Sequence, residues 1–371
     1  MVVTGLGKGG LEHVAADLVV GLRAQGYDAA VFCITKLGYY AEELGRIGVP
    51  VWDCRESPFR VRGFPAQLVR QLARFRPNII HGHSGAWLPA AVAKLVLRRP
   101  ALVFTDHGRY PPEPRWRAWV ERWCYGRTDR LVTVSSPLAA YVQQFLRLPQ
   151  RPVVILNGVD LASFRPGPPT ERLALRRDWG VAETDIVFVS VGRLEPVKNH
   201  ALLLSALAEA GRAFGPMHLA IVGAGSLETE LRALAGRLGL GSRVHFLGFR
   251  TDVLACLLAA DVFVLPSVTE GLPMCLLEAM ATGLPTVASR VGGVPDALGN
   301  PPAGMLVEPN DAAGLARALV AVAADPALRA ELAARALCRA EAHSFGSSVA
   351  QYMELYSDVL RSSSAGDGNR E

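Results

Sequence analysis

Two cations follow the run Ile186–Val191, apolar except for Ser190, which the sequence predicts as a strand. Arg193 comes just after the carboxyl end of that strand, and Lys198 stands at the start of the next helical segment. Ligands of open α/β sheets bind at the carboxyl ends of the strands, and the helix macrodipole disfavours cations at a helix start. Two cations placed against that preference predict an anionic ligand such as a diphosphate, because Arg offers a bidentate fork and Lys a compact charge.

A second segment carries two carboxylates eight positions apart, Glu270 and Glu278. Glu270 precedes a helix that is predicted to begin at Pro273, and Glu278 lies about five residues into that helix, roughly 7.5 Å along its axis. The neighbours of Glu278 are nearly all apolar, so its buried carboxylate needs a partner. A sugar or ribose hydroxyl would be such a partner for either residue. Without a ligand, Glu270 would stabilise the helix start and Glu278 would bind neighbouring backbone.

Three histidines follow two further predicted strands. His107 comes after Leu102–Thr105, where a neutral imidazole can donate one hydrogen bond to a substrate hydroxyl or carbonyl. A structural loop histidine is the alternative. His81 and His83 pose the same question after Asn78–Ile80, and a His-Gly-His run with no nearby carboxylate is poor evidence for a metal site.

The segment Gly5–Gly10 matches GxGxxG between a strand and a helix. Such glycines let an anionic ligand approach the N–H groups of a helix N-terminus, although they can also form no more than a tight turn. Because the pattern is a dinucleotide fingerprint, an NAD-dependent oxidoreductase is an alternative function. The second predicted strand ends near Ile34–Lys36 without the acidic residue that would bind a ribose 2′-hydroxyl, which counts against that alternative.

Aromatic residues recur at helical spacing in a basic segment, at Trp116, Trp119 and Trp123. A basic amphipathic helix with an aromatic face can lie on an anionic membrane surface. The other interpretation is a helix whose aromatic face packs on the sheet while its basic side is exposed.

The elements that must position these residues are indicated by composition and periodicity. Half of the 371 residues are hydrophobic and 20% are charged, which excludes a disordered chain. Short β-branched runs alternate with helical stretches of ten or more residues, as in βαβ units with parallel sheets. The net charge of +5 is mild and no zinc-finger spacing or dense cationic run occurs, so no nucleic-acid partner is expected. Six scattered cysteines and no apolar run near 18 residues predict a cytoplasmic protein without a membrane-spanning helix.

The sequence predicts two Rossmann-like domains, over residues 1–165 and 171–344. The segment Phe164–Thr170 between them is rich in Pro and Gly, so neither a helix nor a central strand can continue through it. A final helix is predicted at about 345–361, and the polar residues 362–371 are expected to be disordered.

Together, these motifs resemble those of the retaining glycosyltransferases of GT-B fold, family 4 (glycosyl transferases group 1), over nearly the whole chain. Their joint order and spacing carry the resemblance. The matching segments are the glycine loop at Gly9-Gly10, the turn Asn157–Asp160, the pair Arg193 and Lys198, the strand end Phe246–Gly248, the segment Asp261–Ser267, and the E-x7-E motif from Glu270 to Glu278. The sequence departs from the family pattern in two places. Its first strand is short, and His200 stands where the family often has a small residue after the lysine, here Lys198.

The resemblance implies an α/β protein of GT-B architecture, with two doubly wound parallel-sheet domains facing across a crevice and the last helix packed back on the N-terminal domain. It implies transfer with retention from a nucleotide-diphospho-sugar, UDP favoured and GDP next, to a hydroxyl of a glycan or lipid-linked acceptor. Neither a metal nor a cofactor is expected. The implied catalytic residues are His107 at the donor sugar, Arg193 and Lys198 at the leaving diphosphate, and Glu270 at the sugar hydroxyls.

The resemblance also implies a set of donor-binding residues, with Glu278 at the ribose. They are Gly9, Gly10, Gly192, Gly271, Leu272, Pro273, Met274 and Glu278. By analogy, the acceptor belongs to envelope polysaccharide or glycolipid synthesis, on or near the inner face of the cell membrane. A non-catalytic GT-B scaffold is a further alternative, and the joint presence of both cations and both carboxylates argues against it.

Overall fold

The apolar runs of the sequence form strands, and the amphipathic stretches between them form helices. A computed structural model describes residues 1–56, 64–109, 112–215 and 217–367. The chain divides into an N-terminal unit, Met1–Gly158 with Gly346–Glu371, and a C-terminal unit, Val159–Phe345. The division falls after Gly158, ahead of the predicted domain end at residue 165.

The N-terminal unit is a seven-stranded parallel sheet in the order β3-β2-β1-β4-β5-β6-β7 with helices between its strands. Its elements are β1 (Val2–Gly5), α1 (Gly10–Ala24), β2 (Val31–Lys36), α2 (Tyr39–Arg46), β3 (Val51–Asp53), α3 (Ala66–Phe75), β4 (Ile79–His83), α4 (Trp87–Leu97), β5 (Ala101–Asp106), α5 (Arg115–Tyr125), β6 (Arg130–Thr133), α6 (Ser136–Leu146) and β7 (Val153–Val154). All described strand pairings are parallel. Between β4 and β5, His81 lies beside Val103 and His83 beside Thr105.

The C-terminal unit holds a six-stranded parallel sheet in the order β10-β9-β8-β11-β12-β13. Its elements are α7 (Pro169–Asp178), β8 (Ile186–Val191), α8 (His200–Phe214), β9 (Met217–Val222), α9 (Glu228–Arg237), β10 (Val244–Gly248), α10 (Val253–Leu258), β11 (Val262–Leu265), α11 (Met274–Ala281), β12 (Thr286–Ser289), α12 (Val294–Leu298), β13 (Met305–Val307), α13 (Ala312–Ala324) and α14 (Pro326–Ala342). Its core is built from the apolar strands and the inner faces of α8, α9 and α13.

The last helix, α15 (Phe345–Asp367), belongs to the N-terminal unit. Two tyrosines of α15 are buried against β4 and β5. The hydroxyl oxygen of Tyr356 lies 2.6 Å from Nδ1 of His81, and that of Tyr352 lies 3.1 Å from Oγ1 of Thr105. The helix is assigned to Asp367, past the predicted end at residue 361. Residues 368–371 lie outside the described chain.

Helix α5 packs through Ala118, Glu121 and Cys124, and its tryptophans point away from the sheet. Trp116 is 67% exposed and Trp119 is 74% exposed. The interpretation in which these aromatic rings pack in the core is therefore wrong. No helix in the described part of the chain is long and apolar enough to cross a membrane.

Candidate active site

Each sheet reverses its strand order at one point, and most of the sequence-predicted residues follow the strands at that point, whereas His107 follows β5. In the C-terminal unit the reversal lies between β8 and β11, and in the N-terminal unit between β1 and β4. The loops after such a strand pair diverge and leave a crevice at the carboxyl edge, where ligands of open α/β sheets bind. Arg193 and Lys198 follow β8, Glu270 follows β11, and Gly5–Gly10 follows β1.

The loops after β8 and β11 bring Lys198 and Glu270 together, although 72 positions separate them. Nζ of Lys198 donates to Oε1 of Glu270 at 2.6 Å, and the backbone N–H of Val268 donates to the carbonyl of Val197 at 2.9 Å, which ties the two loops. Oγ of Ser267 donates to the same Oε1 at 2.6 Å. Within the described residues, the second oxygen, Oε2, accepts no recorded hydrogen bond, and the side chain of Glu270 is 11% exposed.

Arg193 lies in the same loop as Lys198 but is exposed. The described part of the chain gives it no ion pair. Its loop is fixed by the turn after β9: a Cβ on Gly223 would lie 1.9 Å from the carbonyl oxygen of Gly192, and one on Gly225 would lie 2.4 Å from that of Leu194. Close backbone packing therefore accounts for both glycines of this second turn.

The N-terminus of α11 follows Glu270 directly. Pro273 is the residue before the helix rather than its first residue, a shift of one position from the expectation, and Met274 opens it. Leu272 and Met274 are buried, and Glu278 is 7% exposed in the second turn. The carbonyl of Gly271 accepts from the N–H of Gly293 at 2.7 Å. The helix start is thus held against the turn that precedes α12.

The loop before α11 also depends on Gly292. This residue has φ of 47°, and a Cβ on it would lie 1.7 Å from the carbonyl oxygen of Glu270. Only glycine combines a left-handed backbone with so close an approach. The sequence motif places Glu270 in a loop, but the neighbour that fixes this loop comes 22 residues later.

Histidines gather at the carboxyl ends of β4 and β5. Nδ1 of His83 lies 2.9 Å from Nε2 of His107, and the backbone N–H of His107 donates to Oγ of Ser84 at 2.9 Å. Burial lowers the pKa of His107 to about 4. Burial, together with the neighbouring imidazoles, lowers the pKa of His83 well below its ordinary value. Both rings are therefore neutral at neutral pH.

A buried guanidinium, that of Arg109, comes two residues after His107, and the sequence interpretation missed it. Nε of Arg109 donates to Oδ2 of Asp106 at 2.6 Å, and its Nη1 lies 2.9 Å from Oε2 of Glu113 and 2.8 Å from Oε2 of Glu121. Burial alone would lower the pKa of Arg109, but the three carboxylates outweigh burial and raise it. The signal in the sequence was weak, because nothing local shows that Glu113, in the loop before α5, and Glu121, on α5, turn inwards.

The glycine loop of the N-terminal unit leads into α1, which begins at Gly10 with Gly9 before it. A Cβ on Gly9 would lie 2.3 Å from a carboxylate oxygen of Glu12, the flexible end of a side chain, and a Cβ on Gly7 would have no neighbour within 4 Å. β2 ends at Thr35 and Lys36. In the described chain no three His, Cys, Asp or Glu side chains are grouped as metal ligands.

Comparisons with known proteins bear on both units. The family model "Glycosyltransferase Family 4" matches residues 8–163, and "Glycosyl transferases group 1" matches residues 171–337. The D-inositol 3-phosphate glycosyltransferase of Acidothermus cellulolyticus is 31% identical over 95% of this chain and 86% of its own length. The chain belongs to glycosyltransferase family 4. The enzyme of the same name from Geodermatophilus obscurus is 35% identical over 72% of this chain, which spans 65% of that relative.

The fold of this family-4 chain is GT-B. The HepE protein of Anabaena, solved in complex with UDP-glucose, superposes with a TM-score of 0.84 over 96% of this chain and 99% of its own, at 24% identity. Its fold has the same two parallel-sheet units, which confirms the predicted fold class. Membership of the family favours a glycosyltransferase over the oxidoreductase alternative.

The family-4 chain also accommodates its departure at His200. This residue opens α8, and its side chain is only 3% exposed. Burial and the nearby charge of Lys198 lower the pKa of His200 to about 4. The larger residue is therefore held as a neutral ring inside the unit, behind the loop that carries Lys198.

Proposed function

We propose that this chain is a retaining glycosyltransferase that moves a sugar from a nucleoside-diphosphate sugar to an acceptor hydroxyl without a metal ion. The observation that carries the proposal is the pairing of Lys198 with Glu270, where Ser267 shares Oε1 and Oε2 has no recorded hydrogen bond within the described chain. A carboxylate held in this way offers one oriented oxygen to a sugar hydroxyl. A UDP-sugar is the favoured donor and a GDP-sugar the next, in keeping with the UDP-glucose complex of HepE.

The charges of the C-terminal unit suit the departure of a diphosphate. When the bond between the anomeric carbon and the phosphate oxygen breaks, negative charge develops on that oxygen, and Arg193 and Lys198 offset it in place of a metal ion. The acceptor hydroxyl attacks the same face of the oxocarbenium-like sugar and forms the new glycosidic bond. Its proton passes to the leaving phosphate oxygen, so the configuration is retained and no protein nucleophile is needed.

The remaining donor contacts come from backbone and from one buried carboxylate. N–H groups at the start of α11, around Gly271 and Met274, face the diphosphate, as do those of Gly9 and Gly10. Glu278 binds the ribose hydroxyls. His107 contacts the donor sugar near the reacting carbon. These roles come from the family resemblance, and the acceptor proposed on the same ground is a glycan or a lipid-linked sugar.

Thermal unfolding with a ligand panel tests the donor. UDP, GDP, their common sugar conjugates and NAD are each added with chelator. A ligand at 100 times its dissociation constant stabilises the folded chain by about 2.7 kcal/mol, which raises the melting temperature by several degrees. A shift with UDP or a UDP-sugar that survives chelator supports the proposal. A shift with NAD alone, or one that chelator removes, contradicts it.

Substitution tests the site. Lys198→Ala and Glu270→Ala should each slow transfer by about 10²-fold or more, the scale of losing a preorganised transition-state contact. The matched controls are Arg335→Ala and Glu331→Ala, which break an exposed ion pair on α14 and should leave the rate within about twofold. Near-wild-type rates in both site variants would refute the assignment, and a non-catalytic scaffold would then be the better description.

The proposal includes docking of the N-terminal unit on an anionic membrane through α5. The exposed rings of Trp116, Trp119 and Trp123 form an aromatic face suited to the interface between water and lipid. The carboxylates of the same region, Glu113 and Glu121, are turned inwards.

Exposed cations at the start of α5 and at the end of its neighbour α4 complement an anionic surface. Neighbouring α4 adds the exposed apolar residues Leu95 and Val96. Three exposed arginines have no ion pair with any described residue; they are Arg98, Arg99 and Arg115. Each cation near such a surface contributes about 1 kcal/mol. An anionic lipid bilayer is therefore the occupant that fits this face.

Flotation with vesicles tests docking. The full chain should bind vesicles of phosphatidylcholine with phosphatidylglycerol, and added salt should weaken the binding. Trp116→Ala combined with Trp119→Ala should weaken it about tenfold or more. The control Phe214→Ala with Phe249→Ala removes two exposed rings of the C-terminal unit and should change nothing. Absence of binding by the wild type, or self-association lost in the tryptophan variant, would overturn docking.

A further inference from the structure

The two histidines of β4 have different surroundings, although both are buried on one face of the sheet. His81 uses both ring nitrogens: Nδ1 lies 2.6 Å from the hydroxyl of Tyr356 and Nε2 lies 2.8 Å from Oγ1 of Thr105. His83 uses one. Its Nδ1 lies 2.9 Å from Nε2 of His107, and its buried Nε2 has no hydrogen-bond partner within the described residues. His81 therefore anchors the last helix, whereas the one hydrogen-bond partner that the described residues give His83 is His107.

The proton between His83 and His107 can be held in two ways. Either Nδ1–H of His83 donates to Nε2 of His107, or Nε2–H of His107 donates to Nδ1 of His83. Each neutral ring carries a single N–H. If His83 carried its proton on Nε2, a buried donor would have no partner, and orphaned buried N–H groups are rare and costly. If His83 carries it on Nδ1, the donor is satisfied by His107 and only a ring lone pair is unpaired, which costs less.

We infer that His83 is a positioning residue that donates its Nδ1–H to Nε2 of His107 and so holds His107 as the tautomer protonated at Nδ1. The partner of one ring nitrogen decides where the proton of a histidine resides. The backbone N–H of His107 is fixed at the same time by Ser84. Ring orientation and proton position are thus both determined before any ligand binds.

The tautomer specifies which atom of His107 can act on a ligand. Nε2 is occupied by His83, so the donor available to a sugar hydroxyl is Nδ1–H. This step rests on the proposed function, because only there does His107 contact the donor sugar. The tautomer itself does not depend on that proposal and can be measured in the ligand-free protein.

The test compares two replacements of His83 in the full chain. The amide nitrogen of Asn occupies nearly the position of Nδ1 in His, so His83→Asn keeps the donor but loses volume. His83→Phe keeps the volume but removes the donor. If His83 only fills space, His83→Phe should be the better-tolerated variant, because cavities in a core are costly. If His83 positions His107, His83→Asn should be the more active variant.

Nitrogen-15 NMR of histidine-labelled protein reports the tautomer, and kinetics report its use. We expect His107 to be protonated at Nδ1 in the wild type and in His83→Asn, and to lose that preference in His83→Phe. We also expect kcat to fall about tenfold or more in His83→Phe, with the donor KM changed less, and His83→Asn to recover most of the rate.

Distinct outcomes overturn the inference and the proposed function. A wild-type His107 protonated at Nε2 would overturn the inference. So would a His83→Phe variant that is faster than His83→Asn. If the NMR result is as expected but the wild type transfers no sugar from any donor, the tautomer assignment stands and the proposed function fails.

Discussion

The two units place different electrostatics at equivalent edges of their sheets. At the ends of β4 and β5, the N-terminal unit has uncharged imidazoles, because burial lowers the pKa of His107 to about 4. At the ends of β8 and β11, the C-terminal unit has a paired ammonium and carboxylate, Lys198 and Glu270, 2.6 Å apart. The same kind of edge therefore holds neutral hydrogen-bonding groups in one unit and a charged pair in the other.

The difference shows what each unit needs in order to bury polar groups. A charge inside a protein must be paired, whereas a neutral ring needs only hydrogen bonds. In the N-terminal unit, the buried charge lies beyond the strand end, where Arg109 is surrounded by carboxylates. The C-terminal unit also buries a charged pair away from the crevice, Arg176 with Asp261 at the amino ends of the strands. Its second pair, Lys198 with Glu270, lies at the carboxyl edge, where charge suits a charged ligand.

The largest effect should come from removing the buried cation of the N-terminal unit. Arg109→Met removes the ion-pair partner that the described residues give Asp106 and leaves Glu113 and Glu121 with Arg117 as their remaining cation. This should lower the free energy of unfolding by about 3–5 kcal/mol. Urea denaturation measures this loss. The control Arg115→Met removes an exposed arginine and should change stability by less than about 0.5 kcal/mol. Equal stability of the two variants would mean that Arg109 does not balance those charges.

A smaller loss of stability should distinguish a glycine of the C-terminal unit, Gly292, from one of the N-terminal unit, Gly7, when each is replaced by alanine. Gly292→Ala forces a Cβ against the carbonyl oxygen of Glu270 at a positive φ and should cost about 2 kcal/mol or more, with weaker binding of the donor nucleotide. Gly7→Ala, in the glycine loop of the N-terminal unit, meets no atom within 4 Å and should cost less than about 0.5 kcal/mol. Chemical denaturation and calorimetric titration distinguish the two, and a reversed order would refute the packing argument.

The smallest effect concerns pH. His107 and His200 have pKa values lowered from 6.5 to about 4 by burial, so the unfolded chain binds more protons between those values. The free energy of unfolding should fall as the pH drops from about 6.5 towards 4. Each ring contributes at most about 1.4 kcal/mol to this loss over the first pH unit below 6.5. Above that window the two rings contribute no pH dependence.

Thermal unfolding across pH, compared between the wild type and His200→Leu, checks this slope. The variant lacks one of the histidines whose pKa burial lowers, so its melting temperature should fall less steeply on acidification. A steeper fall in the variant would contradict the assignment of a neutral, buried His200.

Much of the fold followed from the sequence because local signals agreed with the final packing. The apolar run Ile186–Val191 is β8 at the predicted residues. The sequence placed Lys198 and Glu270 at strand ends but not beside each other, because their contact depends on β8 pairing with β11. The shared partner Ser267, three residues before Glu270, had no separate signal.

The polar interior of the N-terminal unit could not be predicted. The acidic residues around Arg109 lie on three elements, Asp106 at the end of β5, Glu113 in the loop before α5 and Glu121 on α5, and only the fold brings them together. The environment of α5 was likewise undecided, because a periodic stripe of tryptophans fits a core or an interface equally well. Such choices depend on which face of a helix meets the sheet, and the neighbours that decide it are distant in sequence.

The place of α15 has a consequence for the order in which the chain is built. On a ribosome, the C-terminal unit, Val159–Phe345, is complete as one uninterrupted stretch before α15 emerges. His81 and Thr105 must wait for Tyr352 and Tyr356, which are translated about 250 residues later. Of the two units, the one that begins first is therefore finished last, and the imidazole cluster beside His81 acquires its α15 neighbours only after the C-terminal unit has been synthesised.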